Sequence, residues 1–64
     1  MKKKVRVYYI DKEGQERIED YTITGFTARS GCAAIKEAIR TCYYHYGKDG
    51  IRIEKDIYKA EVIE

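Results

Sequence analysis

Residues 30–46 are the only stretch of this chain with a sustained helical period, and the text around them alternates like β-strand. Ile35, Ala38, Ile39, Cys42 and Tyr46 recur at three- and four-residue spacing, which lines one face of a helix. Lys36, Glu37, Arg40, Thr41 and Tyr44 fall largely on the opposite side, with Glu37 and Arg40 spaced to pair across one turn. Ser30 supplies an N-cap hydroxyl, and Gly47 stands where a C′ glycine ends a helix. An apolar stripe of this width must be buried against another layer. The expectation is an α+β fold of order β-β-α-β, with one helix packed on a three- or four-stranded, mainly antiparallel sheet.

Val5, Val7 and Tyr9 alternate with Arg6, Tyr8 and Ile10, so the first strand is expected here, with a second face that is also partly apolar. Asp11-Lys12-Glu13-Gly14 has the residues of a type I turn closed by a left-handed glycine, a common hairpin ending. The second strand is expected from about Gln15 to Ala28. Ile18 and Tyr21 lie on opposite parities, which predicts a bulge near Glu19-Asp20, and Gly25 marks a second bend. Phe26 and Ala28 share a parity and are expected to lead into the core. Lys48-Asp49-Gly50 reads as a turn. Ile51 to about Ile63 reads as a third strand with a bulge or break around Lys55-Asp56, or as two short strands on either side of it.

The 64 residues are expected to form one domain, with residues 1–3 a flexible basic arm. A chain this short buries only about 60% of its unfolded surface, so self-association is an expected aid to stability. Disulfides do not supply that aid. Cys32 and Cys42 lie about 15 Å apart along the helix, and a disulfide needs Cα atoms within about 7 Å. Both are expected to be reduced and semi-buried. The longest uncharged run, residues 21–28, is far short of the ~20 apolar residues of a membrane span. Lys2, Lys3 and Lys4 look like the start of a signal peptide, but no apolar run follows, so a cytoplasmic protein is expected.

Sites of chemistry are sparse. His45 is the only histidine, and it follows Cys42 by three residues on the helix. Structural zinc needs four ligands of this kind, so no metal site is expected. Cys42 and His45 also lack a clear orienting partner for nucleophilic catalysis, and no glycine-rich phosphate loop occurs. The chain is expected to be neither an enzyme nor a cofactor carrier. Its net charge, +2 from 13 basic and 11 acidic residues, is well below that of a dedicated nucleic-acid binder.

What the chain has in excess is tyrosine: seven, against one phenylalanine and no tryptophan. Tyrosine joins an apolar body to a polar tip and is enriched at interfaces. Tyr9, Tyr21 and Tyr46 are expected in or beside the core. Tyr44 falls off the helix's apolar stripe, and Tyr8 points away from Val5 and Val7. Tyr8, Tyr44 and Arg40 are therefore the candidate protein-binding residues. Lys2, Lys3, Lys4, Arg6, Tyr8 and Arg29 form an alternative set, in which cations follow phosphates and a ring stacks on a base.

Phe26-Thr27-Ala28-Arg29-Ser30, followed by Ala34, Ala38 and Ile39, resembles a pattern in small β-β-α-β proteins of phages and mobile elements. In that pattern a strand ends at a buried alanine, a serine caps the helix and alanine-rich text follows. The acidic residues usual after the serine are replaced here by Gly31-Cys32-Ala33. The resemblance implies a binding protein that blocks a host defence protein, as anti-CRISPR inhibitors do, and it transfers no functional residue. The expected function is a small non-enzymatic protein that sterically occupies a partner's surface and pairs with itself through the sheet. Nucleic-acid binding is the alternative.

Overall fold

The computed structural model describes residues 1–46 and 56–64. The chain runs β1 (Lys2–Ile10), β2 (Glu16–Thr24), a short 3₁₀ helix (Gly25–Ala28), α1 (Gly31–Tyr46) and β3 (Ile57–Val62). The three strands form one antiparallel sheet in the order β2-β1-β3. This is the expected α+β fold of order β-β-α-β, with the helix packed on one face of the sheet. The third strand is described only from Ile57, so the expected turn at residues 48–50 and the first half of that strand lie outside the described residues. Lys2 and Lys3, expected in a free arm, are the first residues of β1, opposite Thr24 and Ile23.

The hairpin turn follows from its sequence. The Gly14 amide donates to the Asp11 carbonyl at 2.9 Å, and Gly14 takes a φ of 81°, where a side chain would be strained. The Asp11 carboxylate accepts the amides of Glu13 at 2.9 Å and Gln15 at 2.8 Å. This closure sets an unbroken ladder from Ile10 opposite Glu16 to Lys2 opposite Thr24. The bulge expected near Glu19-Asp20 is absent, because nothing brings Ile18 to the core. It sits opposite Tyr8 and stays exposed.

β2 also ends sooner than expected. Gly25, at φ 72°, turns the chain out of the strand and into the 3₁₀ helix. That turn separates two residues expected to travel together. Ala28 is fully buried, whereas Phe26 is 74% exposed. A 3₁₀ helix has three residues per turn, so residues two apart no longer share a side as they do in a strand.

α1 starts as its sequence indicates. The Ala33 amide donates to the Ser30 hydroxyl at 3.1 Å, a cap worth about 1 kcal/mol. Ala34, Ala38 and Cys42 are fully buried against Val5, Val7, Tyr9, Ile23 and Ile57, while Ile35, Ile39 and Tyr46 flank them. The small side chains at the centre of the stripe let the helix approach the sheet closely. Cys42 is thus wholly buried rather than semi-buried, and Cys32 is exposed.

β3 carries one register shift. Lys59 lies opposite Tyr8 and Ile57 opposite Tyr9, which leaves Tyr58 as the extra residue of a bulge. The bulge puts Ile57 on the core side together with Ala60 and turns Tyr58 outward.

Candidate interaction face

The sheet has two unlike faces. Val5, Val7 and Tyr9 point at α1, so Lys4, Arg6, Tyr8 and Ile10 point the other way. The ladders place Ile18, Asp20 and Thr22 of β2, and Lys59 and Glu61 of β3, beside them. Among the described residues no second layer covers this open face.

Its side chains are held in place by one another. The Arg6 guanidinium grips Asp20 through Nε at 2.8 Å and Nη2 at 3.0 Å. The Tyr8 hydroxyl donates to Glu61 at 2.5 Å, and the Tyr58 hydroxyl donates to Glu16 at 2.9 Å. The two rings lie 6.2 Å apart, and the Lys59 ammonium sits 5.0 Å from the centre of the Tyr8 ring. Lys4 pairs with Glu64 at 3.6 Å and Lys59 with Glu61 at 3.8 Å. The cations Lys4, Arg6 and Lys59 are therefore met by the carboxylates of Glu64, Asp20 and Glu61. The result is a charge-balanced face with two hydroxyl-anchored rings and the exposed Ile18 at one end.

The ion pairs give the fold its acid sensitivity. The Arg6 hydrogen bonds hold the Asp20 carboxyl below its ordinary range, and Arg17, with the Gln15 amide, does the same for Asp11. A depressed folded-state pKa contributes stability above the unfolded value of about 3.9, and this is lost as pH falls through the folded value. The opposite sign applies to the tyrosines. The Glu19 carboxylate, which accepts the Tyr46 hydroxyl at 2.7 Å, raises Tyr46, and burial raises Tyr21. Their contribution is whole below about pH 10 and is lost as pH rises through the folded values. Thermal melts followed by circular dichroism across the pH range should fall off at both ends, and Asp20→Asn should flatten the acid limb alone.

The structure separates the residues expected to bind a protein. Tyr8 lies on the open face. Tyr44, 84% exposed, and Arg40, 3.7 Å from Glu37, lie on the outer side of α1, across the sheet from Tyr8. They do not form one patch. The alternative set is divided too. Lys2, Lys4, Arg6 and Tyr8 share the open face, and Lys2, Lys3, Lys4, Thr22 and the acidic Glu64 line a groove of about 300 Å³ at its end. Lys3 has the opposite parity, and Arg29 is engaged elsewhere, with its guanidinium 4.2 Å over the Phe26 ring and donating to the Phe26 carbonyl at 3.1 Å.

Ile18 and Tyr58 were not among the expected contact residues. For Ile18 a signal was present, since the Asp11–Gly14 turn alone sets Ile18 opposite Tyr8. For Tyr58 there was none, because its direction depends on the bulge in β3.

Cys42 and His45 have different surroundings, one buried and the other exposed. The Cys42 thiol faces the sheet with the Tyr21 hydroxyl as a neighbour, and burial pushes its pKa up, away from a reactive thiolate. His45 is exposed, its ring 6.3 Å from that of Tyr21. In iodoacetamide labelling read by mass spectrometry, Cys32 should react in the native protein, and Cys42 only after denaturant is added. Labelling of native Cys42 at the rate of free cysteine would contradict this placement. Among the described residues, no group of three or more His, Cys, Asp or Glu side chains is placed to hold a metal ion, and no helix is long and apolar enough to cross a membrane. The chain matches no family model, no curated protein and no solved structure.

Proposed function

We propose that this chain is a non-enzymatic binding protein that covers part of a partner protein with its open sheet face, using Tyr8 and Tyr58 as anchors. The observation that carries the reading is the pair of outward rings whose hydroxyls are tied to Glu61 and Glu16. Anchored rings lose little conformational freedom on binding, which favours them as contact points. Lys4, Arg6 and Lys59 on this face are already paired with carboxylates, so the face suits a mixed protein surface better than a polyanion. Steric occlusion of the covered surface is the proposed mode of action. The resemblance to small phage and mobile-element proteins makes host defence proteins the first partner class to test.

The nucleic-acid reading keeps one favourable observation, the row of Lys2, Lys4 and Arg6 leading to Tyr8 beside the lysine-lined groove. Salt separates the two readings, since phosphate-driven affinity falls steeply with added salt. The experiment is cross-linking and capture from a host lysate with the native protein and a Tyr8→Ala/Tyr58→Ala variant, beside gel shifts with DNA and RNA at low salt. A protein captured by the first and lost by the second supports the proposal. Capture that is indifferent to both tyrosines, or a strong low-salt gel shift, defeats it.

A further inference from the structure

The outer edge of β2 has the features of a pairing edge. Odd residues of β2 bond to β1, as the flanking bonds from the Asp11 amide to Gln15 and from the Gly25 amide to Met1 require. The amides and carbonyls of Glu16, Ile18, Asp20, Thr22 and Thr24 therefore point away from the sheet. Among the described residues, the order β2-β1-β3 leaves that side without a neighbouring strand. Natural edges are blunted by charge, and also by proline, a bulge or shortness, and it is the last three that matter for the uncharged end of this strand. β2 has none of the last three: it is nine residues long, unbroken in register and free of proline. Its charges sit in the first half, and Tyr21-Thr22-Ile23-Thr24 is an uncharged run of strong β-formers.

We infer that β2 pairs with β2 of a second copy, antiparallel about a two-fold axis at Tyr21, joining the two sheets into one. Parity and charge select this register. Faces match only when residues of like parity oppose each other. A two-fold axis at Ile18 sets Glu16 against Asp20, one at Glu19 sets Glu19 against itself, and one at Asp20 does the same for Asp20. Like charges directly opposite are unfavourable. An axis at Tyr21 pairs Ile18 with Thr24, Glu19 with Ile23 and Asp20 with Thr22, so no two like charges meet. An axis at Thr22 also avoids them but shortens the ladder. In the Tyr21 register the outward groups of Ile18, Asp20, Thr22 and Thr24 form the hydrogen-bonded pairs, and the exposed Ile18 side chain gains a neighbour in the partner's Thr24. A groove of about 320 Å³ runs along the same edge, between residues 21–24 of β2 and Thr27, Glu37 and Thr41 on the helix side.

The axis stands perpendicular to the sheet, so both helices fall on one side and both open faces on the other. The self-association expected from the short chain is thereby placed at the edge and not on the open face, which stays available and is doubled. This inference does not depend on the proposed function, because it uses none of the open-face tyrosines as anchors.

The test is sedimentation of the full chain over a concentration series, with amide hydrogen exchange read by NMR. A reversible dimer is expected, together with concentration-dependent protection of the Ile18, Asp20, Thr22 and Thr24 amides, which a monomer leaves open to water. Thr22→Pro removes one outward amide and no bond to β1. It should give a folded monomer and lower the association constant at least tenfold. A monomer at about 100 µM with those four amides unprotected overturns the inference. So does a dimer in which those amides stay unprotected, which is a readout that holds even if Thr22→Pro fails to fold.

Discussion

Tyr9→Ala is expected to leave little folded protein at room temperature. Tyr9 is 5% exposed, its ring stacks on Tyr46 at a centroid distance of 5.2 Å, and it closes the core at the end where β1, β3 and the last turns of α1 meet. Removing a buried aromatic side chain costs about 3–5 kcal/mol, part from lost transfer energy and part from the cavity left behind. A domain of this size has only about 3–10 kcal/mol in total, at roughly 0.05–0.15 kcal/mol per residue. Urea denaturation followed by circular dichroism measures the loss, and Tyr9→Phe, which keeps the stack, should stay within about 1.5 kcal/mol of the native chain. A Tyr9→Ala midpoint close to the native one would mean that the core does not run between β1 and α1.

The neighbouring tyrosine should behave in the opposite way. Tyr8→Ala combined with Tyr58→Ala is expected to leave the fold in place and to weaken partner binding by at least a hundredfold. Both rings lie outside the core, on the side of the sheet away from α1, so their loss opens no cavity beneath the helix. Anchors at the centre of an interface carry most of its energy, and the contacts around them contribute little when truncated. Arg6→Ala and Lys59→Ala should therefore act on binding much less than the tyrosine pair. Affinity measured by calorimetry with the captured partner, beside the urea curve of each variant, separates lost contact from lost fold. If the tyrosine pair unfolds the chain, or if Tyr44→Ala weakens binding more than it does, the open face is not the binding surface.

Adjacent tyrosines with opposite roles illustrate what was legible in the sequence. The period-2 pattern of β1 sends Tyr9 in with Val5 and Val7 and Tyr8 out with Arg6, with no need of coordinates. The Ser30 cap, the helix stripe and the Asp11–Gly14 turn were equally plain, because each depends on neighbours within a few residues. Phe26 went the other way. Its apolar character and its parity with Ala28 pointed to the core, but Gly25 changed the backbone period from two to three just before it.

The sequence by itself determined the β-β-α-β order, the inward direction of Tyr9, the outward direction of Tyr8 and the exposure of Tyr44, since these follow from local periodicity and turn chemistry. Only the tertiary structure decided which outward residues share a surface. Tyr8, Tyr58 and Ile18 meet because three strands align them, and one bulge turns Tyr58 out. Tyr44 and Arg40 are kept apart from Tyr8 by the thickness of the sheet and helix. A sequence pattern fixes the direction of a side chain relative to its own element, whereas neighbourhood on a surface depends on register between elements far apart in the chain.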